Sequence, residues 1–389
     1  MSGQDVQTDA IIVGGGIAGL WLANVLRLRG YRVVVLEQDR LGAGQTLASQ
    51  GMIHGGLKYA LRGQLTRASE AIATMPDRWR SCLDGKGDVD LSALAPLAER
   101  YYLFADASGL GKLTGFFASR SLRGRIERIE PPSYPPVFKA PGFQGVVYGL
   151  NDFVLDTAAL LSQLSETLKG CVFQHAVAGE DLRVEANRVV LRLPDASLTG
   201  KNLIICAGAG SQRLLDGLGL PKPRMQLRPL HQVVVRHDHP DPMYAHCLTG
   251  IRRPEPRLTI TSHPDGDRWL WYLGGQLATD GVQLDAPDLI DRARRELGAC
   301  VPWLSWDDAQ FETLRVDRAE PEQTRGGRPD EAFAAATGSC VVCWPTKLSL
   351  VPNLGDKVLP LLSPPTNTPA DVPNLRLPPA RVGRSPWEA

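Results

Sequence analysis

A chain of 389 residues with 43% apolar and 22% charged side chains has the make-up of a globular protein and length enough for two domains with separate cores. Its 43 basic and 42 acidic side chains leave a formal charge of +1, which supplies no field to attract nucleic acid. No apolar run reaches the roughly 18 residues of a membrane helix, so no integral membrane segment is expected.

The opening Met1 to Thr8 is polar and leads directly into a strand, which leaves no room for a signal peptide. Ala10-Ile11-Ile12-Val13 suits a buried parallel strand. It runs into Gly14-Gly15-Gly16-Ile17-Ala18-Gly19, with glycines in the G-x-G-x-x-G order of a dinucleotide site. In that order Gly14 makes the turn, Gly16 leaves bare backbone for a pyrophosphate, and Gly19 lets the next helix pack on the strand. The amides of Ile17 and Ala18, at the positive end of that helix, face the phosphates. Ile17, Leu20, Trp21, Val25 and Leu28 form its predicted core stripe, and Gly30 stops it. Tyr31 to Leu36 reads as a second buried strand. Glu37 then stands at its carboxyl end, 21 residues after Gly16, where a carboxylate accepts hydrogen bonds from ribose hydroxyls.

From Gln38 to Gly56 the chain is rich in glycine and small polar residues, as a loop crossing a cofactor would be. Gln38, Thr46, Ser49, Gln50 and Gly51 are its expected contacts. Asp156 is placed to cap a helix bearing Leu160, Leu161, Leu164 and Leu168. A variable β region follows over Cys171 to Leu193, with Val177 expected beside the cofactor, and Leu203 to Gly208 is another buried strand ending in glycine. From Leu227 the texture changes to Val-, Thr-, Trp- and Tyr-rich runs at His231 to Arg236, Arg257 to Ser262 and Arg268 to Gly274, the pattern of an antiparallel sheet. Pro287 opens an amphipathic helix with Leu289, Ile290, Ala293 and Leu297 inward, and Cys340 to Trp344 is a last apolar strand. Seven prolines in the 27 residues Ser363 to Ala389 predict an irregular tail.

Two motifs are set aside. Cys340 and Cys343 have C-x-x-C spacing, but on a strand they point to opposite faces. His237-Asp238-His239 has no third partner at a readable spacing, so no metal site is expected. All seven cysteines read as reduced thiols, and the compartment expected is the cytoplasm.

Met52-Ile53-His54-Gly55-Gly56-Leu57-Lys58-Tyr59-Ala60-Leu61 resembles the IHGGLRYL signature of FAD-dependent glycerol-3-phosphate dehydrogenases, members of the D-amino-acid oxidase superfamily. His231-Gln232-Val233-Val234 is similar to that family's H-x-V-V strand, Leu314-Arg315 to its substrate arginine, and Thr346-Lys347-Leu348-Ser349 to its GGKLTT turn beneath the flavin. Asn202 to Ser211 resembles the strand and turn on the adenine side, with Ala207 and Gly208 as contacts. In this chain Lys58 stands for an arginine, Pro345-Thr346 for a glycine pair, and the large C-terminal helical region is absent. These departures weigh against glycerol 3-phosphate itself and against delivery of electrons to membrane quinone.

The resemblance implies an α/β fold with a Rossmann-type FAD-binding domain on a parallel sheet (residues 1–80, 141–226 and 331–362). A smaller α+β substrate domain is expected on an antiparallel sheet (81–140 and 227–330), with a proline-rich tail at 363–389. It implies FAD as cofactor, and hydride transfer to it from a CH–OH or CH–NH group of a small anionic metabolite: a glycerol-3-phosphate-like compound, a hydroxy acid or an amino acid. Oxygen, a quinone or an electron carrier would reoxidise it. His54 is then expected at the ring, with covalent attachment left open, and Leu348 beneath it. His231 is the expected proton acceptor unless it is merely a hydrogen-bonded strand-end histidine. Arg315 is expected to clamp a carboxylate or phosphate unless it is paired in solvent. Lys58 and Lys347 would place positive charge near substrate and reduced flavin. Tyr272 is expected at the pocket wall, or else in core packing with Trp269 and Trp271. The alternative is a catalytically inactive FAD-binding sensor or scaffold.

Overall fold

The computed structural model describes residues 4–56, 71–106, 126–185, 187–248, 255–323, 329, 331–366 and 375–388. Strand β1 (Gln4–Val13), helix α1 (Ile17–Arg27) and strand β2 (Val33–Glu37) form a βαβ unit, paired in parallel from Ala10↔Val33 to Val13↔Leu36. On its other edge β1 runs parallel to Ala196–Ile205, which in turn runs parallel to Cys340–Trp344. Val172–Gln174 extends the sheet beyond β2. These strands are apolar on successive residues because both faces of the sheet are covered. Cys340 lies in the core on one face and Cys343 in the core on the other, as the strand period requires.

Helix α1 is buried from Ile17 to Leu26, because it lies between the sheet and the helices Thr157–Glu166 and Val351–Val358. Trp21 meets Trp79 of the helix Met75–Leu83 with ring centroids 4.8 Å apart. Leu28, expected on the core stripe, is instead 70% exposed: it stands one residue past the helix, beyond the elements that cover its buried turns. Asp156 caps its helix as expected, its carboxylate accepting from the amides of Ala158 and Ala159.

The second sheet has eight strands in the order Gln310–Pro321, Met225–Arg236, Arg268–Gly274, Leu258–Asp265, Ala245–Cys247, Tyr101–Asp106, Gly145–Leu150, Ile126–Ile129. Every pair is antiparallel except that of Ala245–Cys247 with Tyr101–Asp106. The capped helix Ala286–Cys300 covers one face with Leu289, Ala293 and Leu297 inward, while Ile290 is only half-buried. Gly145–Leu150 falls in the segment assigned from sequence to the first domain, yet it pairs with Tyr101–Asp106 here. An apolar run identifies a strand but not its partner, since the pairing is non-local.

The C-terminal residues 375–388 hold no long strand or helix, in line with their prolines, but they do not trail away. Gln174 N donates to Pro378 O at 2.8 Å and Ala380 N to Val172 O at 3.3 Å, so the segment covers the outer strand of the parallel sheet. Further along, Arg236 of the second sheet donates to Trp387 O at 2.6 Å. The tail therefore straps the two sheets together.

Candidate active site

A cavity of about 1470 Å³ opens at the carboxyl ends of β1, β2 and Ala196–Ile205 and continues under the second sheet. That is where open parallel sheets bind their ligands. The first-sheet wall includes Glu37, Val177, Ala207, Gly14 and Gly16; the second-sheet wall includes Gln232, Gly274, Thr259 and His246. The space exceeds the 300–1,000 Å³ or so of a pocket for one small ligand, and suits a dinucleotide with a substrate beyond it.

The glycine turn fits a dinucleotide on its own geometry. Gly14 has φ +111, and a Cβ there would lie 2.5 Å from Cys206 O. A Cβ on Gly19 would lie 1.9 Å from Gly14 O, so Gly19 serves the close approach of helix to turn; it is the one predicted cofactor contact that does not line the cavity. Helix α1 begins with no side-chain cap on its N-terminus and no acid in its first turn, which leaves its positive end to an anion. Thr46 Oγ1 accepts from Ile17 N at 3.2 Å and so ties the crossing loop to the same turn. Glu37 accepts from Gly15 N at 2.7 Å and Asp39 N at 3.1 Å, and a carboxylate with about four acceptor sites still has room for ribose hydroxyls. Gln38, Ile17, Ala18, Ser49, Gln50, Gly51, Gly208 and Leu348 also line the wall.

At the other end, His54 sits in a backbone loop held by Ser349 Oγ, which accepts from His54 N at 2.9 Å, and by Asp152, which accepts from Gly55 N at 2.9 Å. His54 Nδ1 accepts from Gly56 N at 3.2 Å, so in the neutral ring the proton is on Nε2. Lys347 lines the cavity and donates to Pro329 O at 3.0 Å. Beside it Thr346 has φ +61, the left-handed conformation that the glycine pair of the resembling family would take freely. Lys58 lies outside the described residues.

The second sheet corrects two expectations. His231 and Arg315 are paired across adjacent strands, and both point to the turn at 281–284 on the far face. His231 Nδ1 lies 3.1 Å from Gly281 O; the Arg315 guanidinium donates to Val282 O at 3.3 Å and Leu284 O at 2.8 Å. Arg315 touches the cavity wall while two of its guanidinium nitrogens donate to those carbonyls, and His231 is not among the lining residues. The next pair, Gln232↔Leu314, faces inward instead. A match one residue out of phase selects the wrong face, because side chains alternate along a strand.

Leu314, Gln232, Gly274, Thr259 and His246 form one row across five strands, all on the cavity wall. Gln232 lies beside Gly274, one residue beyond the Val233↔Leu273 pair. His246 Nδ1 is 2.9 Å from Thr259 Oγ1, and its ring lies 4.7 Å from that of Tyr101. Sequence reasoning missed this row: His246 is on a three-residue strand after a proline-rich stretch, with no alternation to expose its face. Tyr272 is fully buried beneath the row rather than at the wall, and burial pushes its phenol up, so it stays neutral. Gln50 crosses from the first domain to lie on the row, its Nε2 donating to Tyr272 O at 2.9 Å and Thr259 O at 3.2 Å. Among the described residues no cluster of His, Cys, Asp or Glu has the makings of a metal site, and no helix is long and apolar enough to cross a membrane.

The family model described as FAD dependent oxidoreductase, DAO, matches residues 9–334. A probable FAD-dependent oxidoreductase of Pseudomonas aeruginosa is 45% identical over 390 residues, which covers 99% of this chain and 98% of that protein. Its crystal structure superposes with a TM-score of 0.82 over 99% of this chain and 98% of its own. Glycine oxidase of Geobacillus kaustophilus is 25% identical over 228 residues, 54% of this chain and 57% of the relative. The glycine oxidase structure shares the fold, with a TM-score of 0.63 at 18% identity over 94% of this chain and 97% of its own. One subunit of the anaerobic glycerol-3-phosphate dehydrogenase of Escherichia coli is 39% identical over 62 residues, 16% of this chain and 11% of that protein.

Proposed function

The chain belongs to the DAO family of FAD-dependent oxidoreductases, and we propose that it takes a hydride from a CH–NH or CH–OH group of a small metabolite seated against the Gln232–His246 row. The observation that carries this reading is the single cavity shared by the dinucleotide turn and that row. When bound, FAD supplies the hydride acceptor, which leaves the protein to hold the substrate, orient it and manage its proton.

Gly14, Gly16, Ile17, Ala18, Thr46 and Glu37 would hold the adenosine and phosphates, and Gln50, Gly51, His54 and Leu348 the ring end. The substrate would lie between that end and the second-sheet wall, where Gln50 closes the gap between the domains. His246, with its ring fixed by Thr259 and Tyr101, takes the place expected of His231 as the group that receives the substrate proton. Of the expected charged groups, Arg315 and Lys347 line the cavity among the described residues; each donates to backbone carbonyls, Arg315 to Val282 and Leu284 and Lys347 to Pro329. The similarity to glycine oxidase favours CH–NH over CH–OH.

The test is anaerobic bleaching of the bound flavin by a panel of amines, amino acids, hydroxy acids and polyol phosphates. Bleaching by one chemical class, with ammonia or amine released if CH–NH is the bond, supports the reading. A flavin that stays oxidised across the panel overturns it in favour of an FAD-binding sensor or scaffold.

A further inference from the structure

Gln232 is only 4% exposed, lines the cavity, and has one hydrogen-bonding neighbour among the described residues, the Tyr272 hydroxyl. Tyr272 Oη lies 2.9 Å from Gln232 Oε1 and 3.0 Å from the backbone oxygen of Ala48. Both neighbours are acceptors in that arrangement, but a phenol carries one proton. The Ala48 carbonyl can only accept, and no other described group donates to it. The Gln232 amide can turn over, because its oxygen and nitrogen are interchangeable in shape and are told apart by their partners. The arrangement that satisfies both the Tyr272 hydroxyl and the Ala48 carbonyl has Tyr272 donating to Ala48 and accepting from the Gln232 NH2, which turns the amide oxygen toward the cavity. The opposite choice leaves a buried carbonyl without a donor, which is unfavourable.

We propose that Gln232 presents its carbonyl oxygen to the cavity and accepts a hydrogen bond from the N–H or O–H of the substrate, which makes it the residue that selects a donor-bearing substrate at this position. The inference rests on the function proposed above and narrows it: the group facing Gln232 is an amine, ammonium or hydroxyl, not a carboxylate. Leu314, its cross-strand neighbour, is apolar and offers no competing donor. Tyr272, through Ala48, also ties this polarity to the loop that crosses the cofactor, so the same hydroxyl orients Gln232 and positions residues 48–51.

The experiment uses the FAD-loaded protein with two probes, methylammonium and acetate, each followed by its perturbation of the visible flavin bands under anaerobic conditions. Wild type is expected to bind methylammonium, and Gln232→Leu to weaken that binding by about tenfold or more while leaving acetate unchanged. Tyr272→Phe, which frees the amide to turn, should shrink the difference between the two probes, compared at equal FAD loading. Weakened acetate with unchanged methylammonium in Gln232→Leu would show that the amide presents its NH2, and would overturn the proposal. So would equal effects on both probes, or no methylammonium perturbation in wild type. These readouts are separate from bleaching by the panel, so a silent panel and a wrong amide polarity are distinguishable.

Discussion

Thr346 carries the most informative single backbone angle in the site: a β-branched residue at φ +61, with its hydroxyl donating to Glu331 O at 3.0 Å. Left-handed backbone costs a residue with a Cβ on the order of 1–2 kcal/mol, and glycine much less. Thr346→Ala and Thr346→Gly both lose the hydroxyl, so their difference isolates the backbone. The glycine variant should be the more stable by about 1 kcal/mol in urea unfolding, and equal midpoints would show that the turn is unstrained. Two buried histidines set the response to acid. Burial, with His239 nearby, pushes His237 down to about 4, and burial pushes His263 down to about 3. The His263 ring is packed against Trp387 at 4.5 Å, and His237 against Trp271 at 4.9 Å. In the unfolded chain both titrate near about 6.5, so between there and the folded values the unfolded state binds more protons. Stability is therefore complete above about pH 6.5 and falls as the pH drops through about 6.5 toward the folded values. The urea midpoint should be lower at about pH 5 than at about pH 7, and His263→Phe should flatten that fall; a slope unchanged in the variant would contradict the assignment.

At the scale of elements, the β1–α1 turn has almost no tolerance. A Cβ on Gly19 would lie 1.9 Å from a backbone oxygen, which no side-chain movement relieves. Gly19→Ala should thus cost about 3 kcal/mol or more and lower FAD retention after dialysis, read by melting temperature and visible absorbance together. Retention of both would contradict the close packing. This unit was legible because it is local: strand, turn, helix and second strand follow one another within Gln4 to Glu37, and each carries its own periodicity or glycine. The Asp156 cap and the opposed faces of Cys340 and Cys343 were legible for the same reason. The second sheet was less so. Its strands could be found, but the partner of Gly145–Leu150 is fixed by distant pairing, and the active face of Met225–Arg236 turns on a one-residue phase that a short motif match does not set. His246 lies on a strand too short to show alternation.

For the whole molecule, the joint between the sheets matters most. Gln50 and Tyr272 link the crossing loop to the second sheet, and the tail reaches over both sheets to place Trp387 5.1 Å from Tyr272. Proline content foretold the tail's irregular backbone but not its burial, since Leu375 and Trp387 are single apolar residues with no period to read. A chain ending before Leu375 should melt at a lower temperature and hold FAD more weakly than the full chain; identical melting and retention would show that the strap contributes nothing. The central claim is that substrate meets the cofactor on the Gln232–Leu314 face of the second sheet and not on the His231–Arg315 face. Stopped-flow reduction of bound flavin, with the best substrate of the panel, tests it in three variants side by side. Gln232→Leu should slow reduction or raise the half-saturating substrate concentration by about tenfold or more, while His231→Ala and Arg315→Ala should each stay within about twofold of wild type. Normal reduction in Gln232→Leu with large losses in the other two would contradict the account.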